Sequence, residues 1–250
     1  LPDNIAFDLI GAAFKPKAAA EQDWAEVEGD LNGRLHESRR RVMDVAGITS
    51  EDVIRNIMPL HPMTALVLKH IASSFQSNQR SMFDFIKSVG DEQVKAFQYF
   101  IDHTGPYDEH PLLTVDQLWD FFYVRGKADL ATHIRMILDT YEQQKDLREE
   151  QQTVLKAILI LLAVDKQLGG SIELLHATDQ NLSYVFEGDD DLGSRAAAIA
   201  QSLKTQGILI QTPRQKGGPT YDLALLSGDQ GKIEQYKEGL RKTKTDKLVE

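Results

Sequence analysis

"SRAAAIAQSLKTQGILIQTPRQKGGPTYDLALL", residues 194–226, is the stretch whose reading decides the fold. Its small residues predict a helix that Gly207 stops. Two short apolar runs follow, "ILIQT" at 208–212 and "YDLALL" at 221–226, divided by the turn "PRQKGGPT". Runs of that length around a Pro/Gly turn predict a β-hairpin. Ile208, Ile210, Leu223 and Leu225 are expected to alternate as its inward positions. Upstream, a long apolar helix at about residues 153–168 stops at Gly169 and Gly170. A short helix or turn region and the acidic "EGDDD" at 187–191 lead into the small-residue helix. Helices followed by one β-ribbon at this spacing are the pattern of a winged helix, expected over residues 150–226.

The preceding two-thirds is helical by periodicity, and residues 1–146 read as one helical domain. Leu66, Val67, His70, Ile71 and Ser74 follow the 3.6-residue repeat after Pro62, and Met82, Phe85, Ile86 and Val89 repeat it. "TVDQLWDFFYVRG" at 114–126 predicts a helix opened by a capping box from Thr114 to Gln117. Leu130, Ile134, Ile137, Leu138 and Tyr141 mark a further amphipathic helix. "GPYDEHP" at 105–111 is a turn-rich break. Residues 227–250 are charged and read as a linker or the start of a further helix.

Composition narrows the classes. The chain has 250 residues, 42% hydrophobic and 26% charged, which is ordinary globular usage. No run of about 18 apolar residues would span a bilayer, so no membrane partner is expected. No secretory signal is visible at the start. The chain lacks cysteine, which excludes disulfides and thiolate metal sites and fits a reducing, cytoplasmic setting. A net charge of -10 opposes non-specific attraction to nucleic acid, so any such contact needs a local basic patch. The chain begins with Leu1, so a longer polypeptide is expected.

Catalytic constellations are missing. "RGKA" and "QGKI" lack the spacing and hydroxyl of a phosphate loop, and the seven histidines show no H-E-x-x-H spacing. His103 and His110 fit a polar loop better than a metal site, and Asp189, Asp190 and Asp191 fit the dipole and caps of the helix that follows. No catalytic residue and no metal ligand is expected within this chain.

One phrase does not reduce to a core: "SNQRSMFDFI" at 77–86, where Asn78, Gln79 and Arg80 sit just before an apolar helix. Together with "PLHPMTALVLKHIASSFQ" before it, "FQYFIDHTGPYDEHPLLTVDQLWDFFY" at 97–123 and "IRMILDTY" at 134–141, it resembles the BrxC/PglY-like P-loop ATPases of bacterial BREX phage-defence systems, over about residues 60–141. The resemblance implies a helical lid-type region of the AAA+ and origin-recognition plan, followed by the winged helix, with the nucleotide-binding core left out. ATP and magnesium would then be bound mainly outside this chain. Implied partners are the core of the same polypeptide, other BREX-type defence subunits, double-stranded DNA and further copies in an oligomer.

On that plan the helix opening at Pro62 aims backbone N–H groups at a phosphate, with His61 beside them. Arg80 supplies a forked cation to a γ-phosphate, with Asn78 and Gln79 as further contacts. The alternatives are an ion pair of Arg80 with Asp84, and His61 as a helix cap or satisfied core histidine. In the winged helix, Arg195, Lys204, Arg214 and Lys216 against a single acid, Asp222, form the candidate surface for DNA or a partner protein. Glu187 and the three following aspartates oppose a DNA backbone there. "SRRR" at 38–41 reads as a solvated basic face or a contact for an anionic neighbour. The competing functions are a winged-helix transcription regulator and a helical scaffold that binds proteins without nucleotide.

Overall fold

The structure, a computed structural model, describes residues 3–13, 21–74, 82–214 and 218–223. It is mainly helical, with one two-stranded antiparallel sheet. In chain order the helices are α1 (Asp3–Ala13), α2 (Glu21–Gly33), α3 (His36–Ala46), α4 (Glu51–Arg55), α5 (Pro62–Ser74), α6 (Met82–Lys87) and α7 (Phe97–His103). Then come α8 (Thr132–Leu138), α9 (Glu149–Gln167), α10 (Asp179–Val185) and α11 (Leu192–Thr205), and the strands β1 (Leu209–Thr212) and β2 (Thr220–Leu223). Among the described residues, no helix is long and apolar enough to cross a membrane.

Helix α9 is the axis. Val154, Leu155 and every residue from Ala157 to Val164 are buried, so the helix is apolar on all sides through its middle. That pattern requires neighbours all round. It has them: α5, α8 and the 3-10 segment Val115–Leu118 pack on it, as do α11 and β2. The helix starts before its apolar run because Glu149 and Glu150 suit the positive end of the dipole. Gln151 also accepts the Arg148 backbone N–H at 3.1 Å. The second buried helix, α5, packs on α1, α3 and α9. Phe85, Phe121 and Phe122 meet edge-to-face or tilted, with centroids 5.0–5.8 Å apart. Buried side chains form one continuous cluster from Phe7 to Leu223.

Three local expectations are corrected. The 114–126 stretch is no regular capped helix: it runs as a 3-10 turn, Val115–Leu118, then a π-type turn, Asp120–Val124. Its capping box fails because the Thr114 hydroxyl donates to Asp116 (2.6 Å) and the Gln117 amide to the Leu112 carbonyl (3.5 Å). Val89 lies beyond the end of α6 and is exposed. The phase of β1 is also shifted by one residue. Leu209, not Ile210, faces the core beside its partner Leu223, and Tyr221 is fully buried on the same face, while Ile208, just before the strand, is partly buried against the core. In "ILI" every residue is apolar, so alternation alone cannot choose the phase, whereas "YDL" in β2 can. Leu225 lies outside the described residues.

The outer side of β2 is anchored as well. The Tyr221 N–H donates to the Ala177 carbonyl at 2.7 Å, and its hydroxyl donates to Asp179 at 2.5 Å. Residues just before α10 therefore lie against β2, opposite β1. The phase of β1 predicts a contrast measurable by urea unfolding: Leu209→Ala should cost about 3 kcal/mol and the half-buried Ile210→Ala under about 1 kcal/mol. Equal costs would return the hairpin to the other phase.

Candidate functional site

Helix α5 opens at Pro62, which needs no partner for a missing N–H. His61 precedes it and is fully buried. Its Nδ1 accepts the Met63 N–H at 3.1 Å, so the ring proton sits on Nε2, which donates to the Glu187 carbonyl at 3.1 Å. His61 is thus both helix cap and core histidine. Burial lowers its pKa to about 4, against the opposing pull of Glu187 and Asp189. Leu60 bridges Leu113 in parallel, and the His61 N–H donates to the Leu113 carbonyl, which fixes the approach to the helix.

Residues 187–191 hold this arrangement from the far end of the chain. While its carbonyl serves His61, the Glu187 carboxylate accepts the Glu37 N–H at 2.9 Å and the Ser38 N–H at 2.6 Å. A carboxylate on free N–H groups at a helix start is favoured by hydrogen bonding and by the dipole together. Gly188 sits at φ +85°, and a Cβ there would come within 3.0 Å of Leu112 and 3.1 Å of Leu35. Asp189 accepts the Asp191 and Leu192 N–H groups at the start of α11. Its other oxygen meets His110 Nδ1 at 2.5 Å. Burial works against a charged His110, but the bond and charge of Asp189, with Glu109 and Asp116, outweigh it and raise the pKa. Asp190 faces Arg34 at 3.8 Å. One short loop therefore joins α3, α5, the 105–111 turn and α11. The acidic run caps α11 as expected, but its bonds to α3 and His61 span about 126–150 residues and carry no local sequence signal.

The other candidates are distributed as follows. Pro62 is buried at the start of α5, and Asn78, Gln79 and Arg80 lie outside the described residues. Arg195 is held by Asp191 (2.6 and 2.8 Å) and Glu150 (2.7 Å). Lys204 donates to Gln211 at 2.7 Å and is exposed. Arg214 turns inward to Asp165 at 3.3 Å, and Lys216 lies outside the described residues. Of the 38–41 run, Arg40 and Arg41 pair with Glu37, and Arg39 with Glu51. His103 bonds the Tyr99 carbonyl and stacks on that ring. Among the described residues no three His, Asp or Glu side chains gather as a metal site.

A cleft of about 480 Å³ opens beside the loop, with Arg34, Glu37, Tyr184 and Ser194 on its walls. Compared with protein-family models, curated proteins and solved structures, the chain matches none.

The buried imidazole predicts a pH dependence. An unfolded histidine titrates near 6.5, whereas the folded chain keeps His61 neutral down to about 4. Its contribution is complete above pH 6.5 and is lost as pH falls from there to about 4, on the order of 3 kcal/mol in all. Burial lowers His70 to about 4 and acts in the same direction. Asp116, pushed up to about 6 by burial, and His110 act oppositely. Denaturation at pH 7 and pH 5 should therefore show wild type losing about 2 kcal/mol more than His61→Asn between the two conditions. Equal losses would remove His61 as the acid-sensitive group.

Proposed function

We propose that the chain is a non-catalytic coupling module, the helical lid-type region and winged helix of a BREX-type phage-defence ATPase. Its nucleotide would be turned over in a core outside the chain. The observation that carries this reading is the two-way hydrogen bonding of Glu187, its backbone carbonyl to His61, which caps α5, and its side chain to the start of α3. On this reading a displacement of α5, which the Arg80 segment follows in sequence, is passed through that loop to α11 and the hairpin.

A further feature supports the reading. The order α9, α10, α11, β1, β2, with Ala177 laid against β2, fits a winged helix. The lid reading rests on the sequence resemblance.

The DNA-binding regulator finds less support. Arg195 and Arg214 are each engaged by carboxylates, which leaves Lys204 as the exposed cation among the described candidates. A partner protein is the better occupant of the C-terminal surface in this state.

The reading is tested in the full-length protein. Arg80→Ala should lower ATP turnover at least tenfold, as loss of a charge-stabilising arginine does in phosphoryl transfer, without changing thermal stability. Unchanged turnover would take Arg80, and the nucleotide link with it, out of the account.

A further inference from the structure

Buried polar atoms in folded proteins are nearly always hydrogen-bonded, so a cluster of unpaired ones calls for a reason. Asp165 Oδ1, His176 Nδ1 and Arg214 Nη1 are all buried without a hydrogen-bond partner in the protein, and they belong to one cluster at the root of the hairpin. Asp165 is 6% exposed. Its Oδ2 accepts from Arg214 at 3.3 Å, while Oδ1 stands 3.4 Å from His176 Nε2, itself 3.3 Å from the Gly170 carbonyl. Alongside lies a cavity of about 330 Å³, with Lys166, paired to Asp222 at 3.0 Å, and Thr212 and Thr220 among its walls.

This is a poorly completed ion pair: the Asp165 carboxylate is buried, the Arg214 side chain is 28% exposed, and the bonds that would offset the burial are only partly made. A phosphate offers a guanidinium two oxygens in solvent, where Asp165 gives Arg214 a single oxygen. Gly170 keeps the seat clear: a Cβ there would lie 3.1 Å from Arg214 Nη2.

We propose that Asp165 stands in for a nucleic-acid phosphate, holding Arg214 inward and masking a duplex-binding surface on the hairpin until a DNA backbone competes for it. This goes beyond the coupling reading and rests on it only in taking the hairpin as a wing. The net charge of -10 adds to the masking, because it keeps a chain with its hairpin cation tucked in from binding DNA non-specifically.

Two variants release the arginine. Asp165→Asn removes the competing charge, and Asp165→Ser removes the carboxylate altogether, while Gly170, whose N–H donates to the Asp165 carbonyl and whose φ is +73°, is left unchanged. Binding of a labelled 20-base-pair duplex to the chain is read by fluorescence anisotropy across salt concentrations, with folding checked by circular dichroism. At low salt each variant should bind about tenfold tighter than wild type, with the log–log salt slope steeper by about one. Adding Arg214→Gln to either should abolish the gain. A folded variant that binds no better overturns the proposal, and so does a gain that survives loss of Arg214. If one variant fails to fold, the other decides. Failure here leaves the Arg80 result untouched, so the two readings fall separately.

Discussion

Glu187 faces two ways, and the arrangement of the helices depends on it. Its carboxylate closes the amino end of α3, and its carbonyl takes the one proton on a histidine that caps α5. Neither helix has a comparable partner nearby in sequence. Without its carboxylate, part-buried N–H groups at the start of α3 would lose their partners, and the loop that holds the carbonyl against the buried imidazole would lose its tie to α3. Gly188 next to it needs a left-handed backbone and a missing side chain for the loop to reach Leu35 and Leu112 at all. The site is therefore a constraint of covalent order: glutamate, then glycine, then an aspartate to cap α11.

Charge tells a related story. The chain carries ten more acidic than basic side chains, yet its basic residues are not simply solvated. Arg195, Arg214, Arg40 and Arg39 each meet a carboxylate. Most of these pairs are exposed and add little stability, but they set the surface potential a partner meets. Where cations are paired as these four are, the surface selects against casual polyanions. It leaves a role for a competitor that offers a better oxygen pair, which is how the hairpin root is proposed to work.

How much of this was legible beforehand depends on the range of the interaction. Helix α11, its stop at Gly207 and the turn of the hairpin follow from residues close together, and so do Pro62 at the start of α5 and the apolar spacing of α8. The phase of β1 was not legible, because "ILI" is apolar on both faces and the choice is made by packing on α11 and by pairing with Leu223 in β2. The 3-10 and π-type turns at 115–124 escaped because Thr114 and Gln117 had other partners to bond. His61 could be read only as one of several roles, since the atom that decides among them belongs to residue 187. Asp189 capping α11 was visible locally, and its bond to His110, 79 residues away, was not.

The central claim is that the 187–191 loop binds the amino-terminal helices and the α9–β2 unit into one cooperative structure. Native-state hydrogen exchange on Glu187→Ala tests it most directly. The account predicts faster exchange at Glu37, Ser38 and Met63 together with α10, α11 and β2, all falling by a similar free energy, on the order of 2 kcal/mol. Faster exchange confined to Glu37 and Ser38, with α11 and β2 protected as in wild type, would contradict it.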